Sequence, residues 1–360
     1  MQAALDEARK GLGLASPNPM VGAVLVRDNQ IVGRGYHIYA NRKHAEIVAL
    51  EEAGGLARGA TLYISLEPCC HHGRTPPCTD ALIAAGVAKV VSAIPDPNLE
   101  VSGQGFEQLR AAGIEVEMDA TAARAAEELN APFLHFMRTG RPLVTLKAAL
   151  TLDGKIAAPE DNRGWITSEK ARLHVQTLRH SSDAILTGIG TVLSDDPLLN
   201  DRTALPRSRP LLRIVLDSQL RIPPHARMVE TCREDVLVVT TSLASAERRR
   251  ALEDAGVRVL VADHPSGRTD MRQVVESLAR ENYLSLMIEG GSRVNWAALE
   301  CGVVDKIFFY YAPKILGGLQ SLPVAGGTGK LRRSDAILFR DVHLHPITSD
   351  EFAVEAYLVK

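Results

Sequence analysis

Apolar positions along the chain switch repeatedly between a spacing of three to four residues and short alternating or unbroken runs, the pattern of helices interleaved with strands. In residues 1–13, Leu5, Ala8 and Leu12 share one side and predict a helix closed by Gly13. Ser16-Pro17-Asn18-Pro19 predicts a rigid turn, and the apolar runs 21–27 and 30–35 around Asp28-Asn29 predict a hairpin. Ile47, Leu50 and Ala53 place a helix over 44–53. A strand over 61–65, a cysteine- and proline-rich loop over 67–78 and a helix over 79–86 come next. Strands over 90–94 and 114–118 enclose a turn at 95–98 and a helix at 106–112. A hairpin followed by β-α-β-α-β implies a mixed sheet with helices on its faces.

Polar residues interrupted by Gly140 and Pro142 mark a boundary, giving domains at 1–140 and 141–360. A second alternating series follows. Strands are expected at 143–149, 183–187, 212–216, 236–240, 257–261, 285–289 and 305–312, and helices at 168–180, 245–255, 271–280 and 292–301. The fold class is therefore α/β in both halves. In the second, strand ends feed helix starts, where ligands of such sheets bind.

Composition narrows the function. A chain of 360 residues suits two domains, and 46% hydrophobic with 23% charged residues excludes a disordered or fibrous chain. With 41 basic against 43 acidic residues, the net charge of −2 argues against a general polyanion binder, so no nucleic-acid partner is expected. No apolar stretch approaches the roughly 18–20 residues that span a bilayer. Asp6 and Glu7 stand where an export signal needs a basic and then an apolar run. Of five cysteines, Cys69, Cys70 and Cys78 fall within ten positions, which suits metal ligation in a reducing compartment better than a disulfide frame. A cytoplasmic protein without a membrane partner follows, and a homo-oligomer is the expectation for an α/β enzyme of this kind.

The cysteine loop carries the chemistry. His44-Ala45-Glu46 opens one helix, and Pro68-Cys69 begins a loop that ends in Pro77-Cys78 at the start of another. One imidazole and two thiolates make a three-ligand Zn²⁺ site whose fourth position is left for water. A carboxylate two positions after the histidine can carry a proton from that water to a ring nitrogen and a leaving amine. This is the template of zinc nucleobase deaminases, in which the glutamate is not a ligand. The usual P-C-x-x-C closure is missing. Cys70 and His72 are rival ligands to Cys78, which is favoured because a helix N-terminus stabilises a thiolate. A surface His and Glu, or a closed structural zinc site, is the plainer alternative; the latter would need a fourth protein ligand.

In the second half no glycine cluster completes GxGxxG, and Gly326-Gly327-Thr328-Gly329-Lys330 is no P-loop, since Val324 and Leu331 occupy required positions. Glu289-Gly290-Gly291-Ser292 ends a strand and starts a helix, a place suited to a phosphate and equally to a tight turn.

The segments SPNPMVGAV, GYHIYANRKHAE, SLEPCCHHGRTPPC and IPDPN resemble the deaminase half of the bifunctional riboflavin-biosynthesis deaminase–reductase family. LKAALTLDGKIA, GWITS, HVQTLRHSSDAILTGIGTVLSDDPLLNDR, RIVLDSQLR, IEGGSRVNWAAL and VDKIFFYYAPKILGG resemble its reductase half. The resemblance spans nearly the whole chain. It implies a cytidine-deaminase-like domain followed by a dihydrofolate-reductase-like domain, which binds NADPH without a Rossmann fingerprint. It further implies Zn²⁺ on His44, Cys69 and Cys78, and Glu46 as the catalytic proton shuttle. Asn18, His71, Arg74 and Thr75 would hold the ring and ribose phosphate of a small-molecule pyrimidine. Ala149, Trp165, Thr191, Asp195, Ser218 and the run Gly291, Ser292, Arg293, Val294, Asn295, Trp296 and Ala297 would contact NADPH. Arg179, Leu199, Arg202 and Glu289 would line the second substrate site, with Arg179 and Arg202 as clamps for the phosphate. Asp195 and Glu289 are candidate proton donors in the reduction. Cys70, Arg163 and Asn41 depart from the family pattern, Asn41 at a turn where it can take left-handed backbone angles.

The implied activity is hydrolytic deamination of 2,5-diamino-6-(ribosylamino)-4(3H)-pyrimidinone 5′-phosphate, followed by NADPH reduction of the ribosyl group of the resulting 5-amino-6-(5-phosphoribosylamino)uracil. A polynucleotide deaminase would want a basic, aromatic-lined groove, which 4% aromatic residues do not favour.

Overall fold

In a computed structural model, residues 1–72, 76–98, 102–160 and 164–359 are described. Arg74, Thr75 and Arg163 lie outside them. The chain forms two compact units, Met1–Arg141 with Leu205–Arg209, and Pro142–Ala204 with Pro210–Lys360. The short segment Leu205–Arg209, expected within the second domain, thus groups with the first unit.

The first unit runs α1 (Gln2–Arg9), β1 (Gly22–Arg27), β2 (Gln30–Tyr36), α2 (Ala45–Ala53), β3 (Thr61–Ile64), α3 (Cys78–Ala85), β4 (Lys89–Ser92), α4 (Gln104–Ala111), β5 (Glu115–Met118), α5 (Ala120–Leu129) and α6 (Ala131–Thr139). Its five-stranded sheet has the order β2-β1-β3-β4-β5. β1 pairs antiparallel with β2 and β3, whereas β3, β4 and β5 are parallel, so the sheet is mixed as expected. The hairpin turns through Asp28 and Asn29, both at positive φ. The first helix stops at Arg9, four residues before Gly13. At the turn before α2 the left-handed residue is Arg42 (φ 57°), not Asn41. Ala23, Leu25, Ala45, Ala49, Leu62, Ile64, Leu82 and Val90 fill the core between sheet and helices. A Cβ added at Gly35 would lie 2.1 Å from the Ala45 carbonyl oxygen, so the glycine lets the first turn of α2 rest directly on β2.

The second unit contains β6 (Leu143–Thr151), β7 (Lys155–Ala157), α7 (Glu169–His180), β8 (Ala184–Gly188), α8 (Ile189–Asp195), β9 (Leu212–Leu216), α9 (Arg227–Glu230), β10 (Val236–Thr240), α10 (Ala246–Asp254), β11 (Arg258–Val261), α11 (Met271–Arg280), β12 (Ser285–Ile288), α12 (Ser292–Glu300), β13 (Lys306–Ala312), β14 (Leu322–Pro323), β15 (Phe339–Pro346) and β16 (Phe352–Leu358). Nine strands form one sheet in the order β11-β10-β9-β8-β12-β6-β13-β16-β15. The first seven are mutually parallel, and β16 and β15 extend the edge antiparallel. Period-two alternation divides β6 cleanly. Val144, Leu146, Ala148 and Leu150 join the core on one face, while Thr145, Lys147 and Ala149 point to the other. Phe308 and Tyr310 share that second face with Ala171 and Val175 of α7.

Candidate active sites

His44 is the residue capping the N-terminus of α2, and Cys78 is the first residue of α3. Cys69 sits in the loop leaving β3. His44 Nδ1 lies 3.2 Å from Cys78 Sγ and 3.4 Å from Cys69 Sγ. The potential ligand atoms of all three fall within 4.8 Å of one another. Among the described residues no fourth His, Cys or acidic side chain joins the group, so Cys70 and His72 stand outside it. The Cys78 backbone N–H donates to Cys69 Sγ at 3.3 Å, the helix N-terminus acting on a thiolate. Hydrogen bonds from Cys78 and His44 hold the Cys69 thiol down at about 4 against the opposing effect of burial. The Cys78 thiol is pushed up by Cys69 and by burial, and His44 is raised by its hydrogen bond with Cys69. The two sulfurs therefore share a proton that a divalent cation would displace. Soft thiolates with one imidazole in a triangle of this size fit Zn²⁺.

Glu46, in the first turn of α2, is 3% exposed. Burial, then the Cys69 charge, pushes its carboxyl up to about 7, with His44 opposing. Asn18 Nδ2 lies 3.0 Å from His37 Nε2, and His37 Nδ1 lies 2.8 Å from the Lys43 carbonyl oxygen. A carbonyl only accepts, so Nδ1 carries the proton and Nε2 accepts from the amide. Burial lowers the His37 pKa, in keeping with the neutral ring. The Asn18 carbonyl oxygen is then the end that can accept from a ligand. His71 is exposed on the loop. Sequence reasoning missed Glu67, whose carboxylate accepts from the backbone N–H groups of Asp96, Gly103, Gly105 and Phe106 and pins the approach to α4 beside the Cys69 loop.

In the second unit, the residues expected at the cofactor collect after the C-terminal ends of adjacent parallel strands. Ala149 lies near the end of β6, Thr191 follows β8, Ser218 follows β9 and Gly291 follows β12. A Cβ at Gly188 or Gly290 would come within 2.6 Å of the Val294 side chain, so both glycines let α12 approach the sheet. Ser292 Oγ donates to the Pro323 carbonyl at 2.5 Å and Asn295 Nδ2 to the Val324 carbonyl at 2.7 Å. These bonds, with Gly326 N–H donating to the Ser292 carbonyl, lay the 323–327 loop across the first turn of α12. The glycine-rich run that is no P-loop thus has a packing role: a Cβ at Gly327 would overlap the Trp296 ring. Trp296 Nε1 and Asn295 Oδ1 are buried without a hydrogen-bond partner among the described residues. A helix N-terminus approached through glycines, with an orphaned donor beside it, fits a dinucleotide phosphate. Trp165 is 70% exposed with the Arg172 guanidinium 4.9 Å over its ring. Asp195 is exposed and accepts from Ser194 Oγ.

The four residues expected at the second substrate site fare differently. Glu289 and Arg179 meet in a bidentate pair at 2.7 and 3.1 Å, and Arg179 Nη1 also donates to the Asn200 carbonyl at 3.0 Å. The Arg179 fork is thereby turned onto protein groups. Leu199 is packed among apolar side chains, so a ligand can meet it only through its backbone. Arg202 is exposed. Lys147 was not anticipated, although a lysine inside an apolar strand is itself a signal. Its Nζ lies 3.8 Å from Glu289, and the two side chains are 13% and 12% exposed. Burial alone would raise the Glu289 carboxyl, but Lys147 and Arg179 hold it at about 2. Burial lowers the Lys147 pKa, with Glu289 opposing and Arg179 adding to the drop.

Residues 1–94 match the model of the cytidine and deoxycytidylate deaminase zinc-binding region, and residues 142–351 match the RibD C-terminal domain. Together with the His-Cys-Cys group, these define a zinc-binding deaminase joined to an NAD(P)H-dependent reductase. The riboflavin biosynthesis protein RibD of Escherichia coli is 42% identical over 96% of this chain and 96% of its own, and that of Actinobacillus pleuropneumoniae 43% identical over 91% and 87%. The Acinetobacter baumannii RibD structure superposes with a TM-score of 0.87 at 36% identity, covering 100% of this chain and 98% of that one. The structure of a diaminohydroxyphosphoribosylaminopyrimidine deaminase/5-amino-6-(5-phosphoribosylamino)uracil reductase from Thermotoga maritima superposes with a TM-score of 0.83 at 34% identity, covering 100% of this chain and 97% of that one. The chain belongs to the RibD family of bifunctional deaminase–reductases of riboflavin biosynthesis.

Proposed function

We propose that residues 1–140 carry out the deamination and residues 141–360 the reduction, on the two successive pyrimidine ribose phosphates named by the sequence resemblance. What supports the first assignment is the triangle of His44, Cys69 and Cys78 with one buried carboxyl, Glu46, two residues from the imidazole. His44, Cys69 and Cys78 would hold Zn²⁺, which would supply Lewis acidity to activate a water. Glu46 takes the proton of the attacking water, passes it to the ring nitrogen, and serves the departing ammonia in turn. Asn18, its amide held by His37, accepts from a ring N–H or amino group of the pyrimidine. His71, Arg74 and Thr75 remain the candidates for the phosphate.

In the reductase half, Thr191, Ser218 and the Gly291–Ala297 turn and helix, which follow β8, β9 and β12, would hold NADPH, whose chemistry when bound would be hydride donation to the C1′ imine of the opened ribosylamine. The chain positions the two reactants and provides the proton. Of the two donors expected, Glu289 is held ionised by Lys147 and Arg179, and Asp195 stands exposed beside Ser194. The Lys147 ammonium, buried against that carboxylate, is the better donor. Arg202 offers an exposed guanidinium for the ribose phosphate, whereas the Arg179 fork orients Glu289.

Among the described residues no helix is long and apolar enough to cross a membrane. Five cysteines without disulfides support a cytoplasmic location. Val342 (58% exposed) and Leu344 (68%) on the edge strand β15 support a homo-oligomer formed through that edge. The decisive test of the function is sequential turnover: Glu46→Gln should abolish ammonia release from the diaminopyrimidine phosphate while leaving NADPH oxidation with supplied aminouracil phosphate intact. Ammonia release at a near wild-type rate would overturn the assignment.

A further inference from the structure

The loop that carries Leu199 and Arg202 holds an unfavourable shape: Leu199 (φ 50°) and Ala204 (φ 58°) are both left-handed without being glycine. Such backbone persists only where its surroundings over-determine it. Here one face of α7 does so. Gln176 Oε1 accepts from the Arg202 backbone N–H at 3.0 Å, and Arg179 donates to the Asn200 carbonyl. At the end of the helix, His180 is 1% exposed and its Nδ1 lies 2.7 Å from Asp201 Oδ2. The other carboxylate oxygen of Asp201 accepts from Thr203 N–H at 2.9 Å and from Thr203 Oγ1 at 2.8 Å. These bonds outweigh the burial of Asp201 and keep its carboxyl below the usual range. Because a carboxylate only accepts, His180 Nδ1 donates to it.

We propose that Asp201, gripped by His180, is a positioning residue of the reductase: it sets the backbone from which Arg202 reaches the ribose phosphate. The inference rests on the reading of Arg202 given above. The contacts of the pair are with the loop itself, through Thr203, so it acts through Arg202 and not on the reacting atoms. Its loss should therefore weaken substrate capture without slowing the chemical step.

The test uses the full-length protein and steady-state NADPH oxidation with the aminouracil ribose phosphate. Asp201→Ala should raise KM for this substrate roughly tenfold, the scale of a mispositioned charge-assisted contact, with kcat and the KM for NADPH unchanged. Deaminase turnover in the same sample reports that the protein is folded. In the double variant with Arg202→Ala, KM should be no higher than for Arg202→Ala alone, because Asp201 acts through that arginine. Gln176→Ala, a change at the helix surface, should give the same KM-only effect in smaller measure and serves if Asp201→Ala does not fold. An additive double variant, or a fall in kcat at unchanged KM, would overturn the proposal while Arg202→Ala still raises KM. An Arg202→Ala variant with unaltered KM would instead overturn the reading of Arg202.

Discussion

Replacing Glu289 by Gln removes one negative charge from a site where two cations converge on it. Lys147 Nζ lies 3.8 Å and Arg179 Nη2 2.7 Å away, and the Glu289 side chain is only 12% exposed. Together they bring the carboxyl from 4.5 to about 2 although burial pushes the other way. At about 1.4 kcal/mol per pKa unit, this depression corresponds to on the order of 3 kcal/mol of folding stability. That agrees with the cost of breaking a buried ion pair. A depressed carboxylate stabilises the fold above its unfolded value, and the contribution fades as pH falls through about 2. From pH 6 to 8 the parent carboxylate is ionised and contributes in full. Both tryptophans, Trp165 and Trp296, lie in the second unit, so their fluorescence follows its unfolding alone. For a unit of this size, 3 kcal/mol is about 6–12 °C in Tm. A Glu289→Gln variant melting within about 2 °C of the parent would refute the ionised, doubly paired carboxylate.

Lys147→Met should depress reductase kcat by about 10²–10⁴, the usual share of a general acid. Ammonia release should be untouched, and both are read in one coupled assay. Gly188→Ala should raise the KM for NADPH and cost about 1–3 kcal/mol, because its Cβ would sit 2.6 Å from Val294 Cγ2 and 4.0 Å from Val294 Cβ; adding Val294→Ala should restore both, as measured by cofactor titration and thermal melts. Val342→Lys with Leu344→Lys on β15 should shift the oligomer toward monomer in sedimentation velocity without altering deaminase turnover.

Much of this was legible in the chain, and the exceptions have physical causes. The hairpin, the parallel strands and the metal ligands announce themselves through local patterns: alternation, Asp-Asn turns, and cysteines bounded by proline. Helix α5 carries one large apolar residue, Leu129, and relies on alanine propensity and on Asp119, which caps it by accepting from Thr121 N–H. Edge strand β15 is mostly exposed and so lacks the apolar rhythm that marks a strand. Lys147 and Glu289 come together through the parallel pairing of β12 with β6, a register that no local window contains. His180 and Asp201 were equally hidden, since the helix end and the loop meet only in the folded unit. That the Arg179 guanidinium meets Glu289 was hidden for the same reason, since helix α7 and the end of β12 are far apart in the chain.

The account turns on an open metal site with a mobile proton beside it. X-ray absorption at the zinc edge of the purified full-length protein tests this directly. The predicted spectrum is one zinc per chain with two sulfur ligands at about 2.3 Å and two lighter ligands at about 2.0–2.1 Å, one of the lighter pair exchanging when an inhibitor binds. Three sulfurs, or two histidine nitrogens completing a closed shell that no inhibitor disturbs, would contradict it.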